Sequence, residues 1–120
     1  MKTGDNKIFL ASDHAGFKLK EKIKSYLQNQ NYQVEDLGPK KFVKDDDYPD
    51  YIIPCAKKVA SNKNSKGIIL GFSGQGEAIA ANRVGGIRAA VYYGEQKKII
   101  SLARQHNDAN ILSLSAGFLS

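Results

Sequence analysis

Short apolar runs and amphipathic stretches take turns along this chain, and that alternation constrains its fold more than any other feature. Strand-like runs are predicted at residues 7–11, 32–37, 67–70, 88–92 and 111–114. Helical patterns lie between them: over 17–28, from Pro49 onward, from near Gly76, and over 95–105. In the first helix Phe17, Leu19, Lys20, Ile23, Tyr26 and Leu27 form the stripe expected to face a sheet. Pro49 suits a first helical turn, and Pro54 is expected to kink the helix it opens. Five strands alternating with helices imply an α/β, Rossmann-like architecture: an open parallel five-stranded sheet with helices on both faces. Residues 38–47, with Pro39 and the run Asp45 to Asp47, read as a polar loop rather than a domain linker, because the pattern resumes immediately. A chain of 120 residues supports one core, so a single domain is expected over 1–120.

The third strand runs into the most chemically suggestive segment, Gly67 to Asn82. After Ile68, Ile69 and Leu70 comes Gly71-Phe72-Ser73-Gly74-Gln75-Gly76-Glu77, then the start of a helix. Gly71, Gly74 and Gly76 let the backbone bend so that several N–H groups converge at a helix N-terminus, where an oxyanion or phosphate is favoured. No Gly-Lys-Ser/Thr follows, and the third glycine of a dinucleotide turn is missing, so neither common nucleotide fingerprint applies. Ser73 and Glu77 add a hydroxyl and a carboxylate. A carboxylate there is either a helix-dipole partner or a base for proton transfer beside an oxyanion hole.

Two further clusters flank predicted strands. Ser12-Asp13-His14-Ala15-Gly16 follows the first, and Gln105-His106-Asn107-Asp108-Ala109-Asn110 precedes the last. Asp13 alone could be a helix N-cap, and His106 alone a cation at a helix C-terminus. Together with Ser73 and Glu77 they form a set of groups suited to acid–base work. Loops leaving the carboxyl ends of parallel strands collect along one edge, where Asp13, Ser73 to Glu77 and His106 are all expected.

Composition narrows the classes. The net charge of +6 suits an anionic ligand, but the lysines, including Lys18, Lys20, Lys22, Lys24, Lys57 and Lys58, read as solvated helix faces without interleaved aromatics. No nucleic-acid partner is expected. Cys55, the sole cysteine, falls in an apolar stripe with Ile52, Ile53, Ala56, Val59 and Ala60, so it reads as core, and neither a disulfide nor a metal centre is expected. With 42% hydrophobic residues, no bilayer-length apolar stretch and no signal-like start, a cytoplasmic protein is expected, with no membrane partner.

Ser12-Asp13-His14-Ala15-Gly16-Phe17, Asp45-Asp46-Asp47-Tyr48-Pro49, Gly71 to Glu77 with Ile79-Ala80-Ala81-Asn82, and His106-Asn107-Asp108-Ala109-Asn110 together resemble the ribose-5-phosphate isomerase B family, which also holds allose- and galactose-phosphate isomerases. The motifs occur in the family's order and span residues 7–114. One branch carries a catalytic cysteine at the place of Gly71; this chain resembles the branch whose base is a glutamate, here Glu77. The resemblance implies aldose–ketose isomerisation of a sugar phosphate, ribose 5-phosphate first, through a cis-enediolate in pentose phosphate metabolism and without a cofactor. It implies Glu77 as base, the Ser73 to Glu77 backbone as oxyanion site with Ser73 as proton relay, and His106 with Asp13 as ring-opening pair. Phe72, Gly74, Gln75, Gly76, Tyr48 and Asn107 are the implied sugar contacts and His14 a phosphate contact. It further implies a homodimer, with a tetramer as the larger alternative, whose pockets lie between subunits, so that His106 and Asn107 act across the interface on substrate held by the other subunit's glycine loop and aspartate. The family's phosphate-binding arginine after the last strand corresponds to Gly117, leaving Arg83, Arg88 or a lysine as substitutes. Its final helix and basic tail are expected to be lacking, since the sequence stops at Ser120. A non-catalytic sugar-phosphate binder of the same fold and a flavodoxin-like regulatory or nucleic-acid-binding domain are the alternatives.

Overall fold

The computed structural model describes residues 7–40, 49–94 and 96–119. Strands β1 (Lys7–Ser12), β2 (Gln33–Asp36), β3 (Lys66–Gly71), β4 (Ala89–Tyr92) and β5 (Ile111–Ser115) alternate with helices α1 (Phe17–Asn29), α2 (Pro49–Ser61), α3 (Gln75–Asn82) and α4 (Lys98–Asn107). A short 3-10 turn, His14–Gly16, joins β1 to α1. All pairings are parallel, in the order β2-β1-β3-β5-β4. The alternation is therefore the fold. Helix α2 begins at Pro49 and runs through Pro54 as one element, while α4 starts three residues later than its apolar pattern predicts and takes in His106 and Asn107.

Strand order sets the layers. The β2-to-β3 and β3-to-β4 crossovers run one way across the sheet, and β1-to-β2 and β4-to-β5 the other. With right-handed crossovers, α2 and α3 share one face and α1 and α4 the other. Between α2/α3 and the sheet lies the core: Phe9, Ala11, Ile69 and Ile111 from the strands against Ile52, Cys55, Ala56 and Val59 of α2 and Ala80 and Ala81 of α3. Cys55 is fully buried, and burial, with Asp36 and Glu35 nearby, pushes its thiol pKa up to about 12, so it is packing and not a nucleophile at neutral pH. No helix among the described residues is long and apolar enough to cross a membrane.

One lysine overturns the solvated-face reading. Lys20 is wholly buried, its Nζ 2.6 Å from Asp36 and 2.8 Å from Glu21, and it lies over the Phe17 ring. Asp36 also accepts from Lys24 at 3.2 Å and from the Gly38 N–H at 2.9 Å. Burial alone would raise the Asp36 pKa, but the Lys20, Gly38 and Lys24 hydrogen bonds outweigh it and leave the pKa below the usual carboxylate value. The pair has a positional effect. It fixes Gly38, whose carbonyl accepts the Ser12 N–H at 3.1 Å, so the end of β2 is tied to the end of β1. Tyr26, assigned to the same stripe, is instead 63% exposed. The polar run Asp45 to Asp47 and the expected sugar contact Tyr48 lie outside the described residues.

Candidate active site

The sheet reverses its winding direction between β1 and β3, which opens a crevice at their carboxyl ends. Asp13 leaves β1 there, its N–H bonded to the Leu70 carbonyl of β3 at 3.1 Å. Its Oδ1 accepts the Gly16 N–H at 3.0 Å, so Asp13 does cap the 3-10 turn as residue type alone suggests. It also has a second partner: Asp13 hydrogen-bonds the carboxyl of Glu77, in the first turn of α3. Glu77 is only 4% exposed. Its pKa is raised to about 7, by burial first and then by the hydrogen bond and negative charge of Asp13. Two carboxyls side by side at a helix N-terminus, one with its pKa raised to about 7, are chemically suited to proton transfer near neutrality.

Gly71 makes room for that arrangement. A β-carbon added at this position would fall on the Glu77 carboxyl group, so carboxylate and side chain exclude one another. The bend that follows depends on Gly74, whose φ of 77° lies in the left-handed region. From below, Ser113 Oγ donates to the Gly74 carbonyl at 2.7 Å and Ser115 Oγ donates to the Ser73 carbonyl. Both serines are fully buried on β5. Peptide planarity then sends the Gly74 and Gln75 N–H groups to the opposite side, away from β5. Ser73 Oγ accepts the Gln75 N–H at 3.1 Å, which leaves its own O–H to donate elsewhere. The loop's outer strand continues into β5's extension through Ala116 N–H to the Gly71 carbonyl and Gly117 N–H to the Phe72 carbonyl, both 2.8 Å.

Sequence reasoning missed the two β5 serines. Their signal is the alternation Ile111-Leu112-Ser113-Leu114-Ser115, which puts hydroxyls on a buried strand face where apolar side chains belong. His14 is half-buried in the 3-10 turn beside Asp13. Phe72 is 59% exposed, and its ring lies against Phe118 and directly over Gly117, where a side chain would collide with it. The place of the expected arginine is therefore occupied by an aromatic ring.

His106 and Asn107 are not at this edge. They end α4, and a helix C-terminus that feeds a parallel strand lies at the amino edge of the sheet. The placement is fixed by Asn110, whose carbonyl accepts the Gly67 N–H at 2.9 Å and whose N–H bonds the Arg88 carbonyl at 3.0 Å. Six residues of β3 separate that edge from the Glu77 crevice, on the order of 20 Å. Within one chain, His106 and Glu77 are on opposite sides of the sheet's length. Arg83, at the C-terminus of α3, and Arg88, just before β4, share the amino edge, so neither supplies its own chain's crevice with a cation. Arg88 lies outside the strand and bonds through its guanidinium to Asp108.

A buried, near-neutral carboxylate beside a second carboxyl, under a turn of backbone N–H groups at an α/β switch point, is the arrangement suited to proton transfer to and from carbon. The chain belongs to the ribose/galactose isomerase family, whose model matches residues 8–120, and it is an aldose–ketose isomerase. It is 45% identical over 112 residues, 93% of this chain and 72% of the other, to a probable ribose-5-phosphate isomerase B of Mycoplasma pneumoniae. Among solved structures it superposes on ribose-5-phosphate isomerase B of Mycoplasma genitalium with bound ribulose 5-phosphate, with TM-score 0.90 and 43% identity over 95% of this chain and 74% of that one. It is similarly close to the Clostridium thermocellum ribose-5-phosphate isomerase B, with TM-score 0.89 and 39% identity over 95% and 75% of the two chains.

Proposed function

We propose that the chain interconverts ribose 5-phosphate and ribulose 5-phosphate in the cytoplasm, as a homodimer whose two sites each use both subunits. The observation that carries the chemistry is the Glu77 carboxyl, buried over Gly71 against Asp13 with a pKa near 7. Such a group takes the C2 proton of the open-chain aldose phosphate and returns it to C1. The proton on O2 moves to O1 through the Ser73 hydroxyl, whose O–H is available while its oxygen accepts from Gln75. Backbone N–H groups of Ser73 to Glu77, with Gly74, Gln75 and Gly76 between, hold the enediolate oxygens. Each well-placed donor contributes on the order of 3 kcal/mol to such a charge. Phe72 borders the sugar and His14 faces the phosphate; Tyr48, outside the described residues, is a further sugar contact on the family resemblance alone.

Ring opening precedes this step, because the furanose has no free carbonyl. Asp13 accepts the proton of the anomeric hydroxyl, and His106 protonates the ring oxygen as the C1–O4 bond breaks. The His106 that serves a given crevice belongs to the second subunit, with Asn107 beside it as a sugar contact. Two features support a second subunit against α4. None of its residues is buried in the single chain, although its apolar residues form a strong stripe, and Ile99 is 47% exposed. Beside it, Ile8, Ile68, Ala90, Ile100 and Leu112 line an apolar groove of about 330 Å³.

Mixing two inactive variants tests both parts. Glu77→Gln and His106→Asn homodimers, unfolded and refolded together in equal amounts, form about half hybrids, each with one site intact. Conversion of ribose 5-phosphate should then recover to roughly a quarter of wild type. No recovery, with hybrids shown to form, would place both groups in one chain's site; either homodimer proving active on its own would remove its substituted residue from the mechanism.

A further inference from the structure

The end of α4 poses a problem of precision. His106 and Asn107 are exposed residues in the last turn of a helix that buries none of its side chains in the chain. Helix ends fray, whereas catalytic groups must be held to within about 0.5 Å of their working positions. The next residue, Asp108, turns the chain in the left-handed conformation, φ 52° and ψ 41°, which Asp tolerates better than most non-glycine residues but which still needs support from its surroundings to be held as a single fixed turn.

Two arginines enforce it. From the residue before β4, Arg88 donates Nε to the Asp108 carbonyl at 2.8 Å and Nη2 to the Asp108 carboxylate at 3.0 Å. Arg104, one turn back on α4, gives Nη1 to the other carboxylate oxygen at 3.3 Å and to the Ala109 carbonyl. Asn110 completes the tie by accepting the Arg88 N–H at 2.8 Å and donating to the Gly86 carbonyl at 2.9 Å. The last turn of α4 is thereby registered to the amino end of β4. Exposed ion pairs contribute little to stability singly, and this cluster is exposed. Its geometry is what distinguishes it: a fork that reads the carbonyl and the carboxylate of one residue at once fixes both the path of the backbone and the direction of the turn.

We propose that Arg88 and Arg104, closed on Asp108, are positioning residues that hold His106 and Asn107 in place for the neighbouring subunit's site. This rests on the reading of His106 as the ring-opening group. It makes the clamp specific to the cyclic substrate, since proton transfer at C1 and C2 uses Glu77 and the glycine loop at the other edge.

Two reactions of the same enzyme separate the steps. Conversion of ribose 5-phosphate requires ring opening. Deuterium wash-in at C1 of ribulose 5-phosphate in heavy water does not, because that ketose, phosphorylated on O5, cannot close a furanose. Arg88→Lys keeps the charge and loses the fork; Asp108→Asn keeps tolerance for the left-handed turn and loses both ion pairs. Each should lower ribose 5-phosphate turnover by about 10- to 100-fold while wash-in changes less than about twofold. His106→Asn should show the same split. If His106→Asn shows it and both clamp variants do not, the clamp is structural and the proposal fails alone. If His106→Asn slows both reactions equally, the reading of His106 and the proposal fall together. A clamp variant that slows both reactions in step with a lowered melting temperature also overturns it.

Discussion

At the residue scale the proposed chemistry turns on one carboxyl, Glu77, and the space that Gly71 leaves for it. Glu77→Gln preserves shape but cannot accept a proton, so turnover should fall by roughly 100-fold or more with little change in substrate affinity. Stability should move the other way. Because folding raises this pKa from 4.5 to about 7, the folded state binds more protons than the unfolded chain between those values, and stability falls as pH rises through that window. Glu77→Gln should therefore melt higher than wild type above pH 7, with the gap closing below about pH 4.5. In the wild type, kcat/KM should rise with pH through about 7 as the base ionises. Gly71→Ala places its methyl group where the carboxyl lies. It should destabilise wild type, and much less so a Glu77→Ala background, in a double-mutant thermal melt; equal losses in both would mean the two groups do not share that space. The glycine loop and Glu77 stand together in the sequence, so a carboxylate beside converging backbone N–H groups was legible there. What residue types could not convey was that Asp13 would be cap and carboxyl partner at once, or that Lys20, one polar residue within an apolar stripe, would be the buried member of an ion pair.

Among the elements, β5 and the β2 end act as fixings for the crevice. Ser113→Ala and Ser115→Ala together free the Gly74 and Ser73 carbonyls from below the loop. Oxyanion donors depend on preorganisation, so kcat should drop by about 10-fold or more, with far-ultraviolet circular dichroism unchanged. Lys20→Met leaves Asp36 buried beside Lys24 alone and should cost about 3 kcal/mol at neutral pH. Since the Asp36 pKa is lowered on folding, this contribution is present above its usual value of 3.8 and is lost as pH falls through the folded value, so variant and wild type should converge in acid. Urea melts at pH 7 and at successively lower pH below 3.8 would show it. Element identities and all five strands follow from periodicity because each strand is a local signal. Strand order does not, since nothing local tells β5 to insert between β3 and β4. The edge assigned to His106 was recoverable in principle: in a parallel sheet the loop from a helix into a strand lies at the amino edge, whatever the sequence.

For the whole molecule, the separation of His106 from Glu77 by the length of β3 decides what the proposed shared site would require. A site assembled from both edges needs two chains, and no rearrangement within a folded domain brings the groups together. Specific activity should consequently fall when the protein is diluted below the concentration at which its subunits part, with excess inactive Glu77→Gln chains, which still lend His106, delaying the loss. Activity constant down to full dissociation, followed by light scattering, would contradict a shared site. Asn82 and Asn110 belong to this scale as well: by bonding Ala89 and Arg88 they set where β4 begins and so where the far edge stands. With sites shared as proposed, a cell would possess almost no isomerase at low expression and a disproportionate amount once expression doubled, because below that threshold the number of working sites grows with the square of chain abundance.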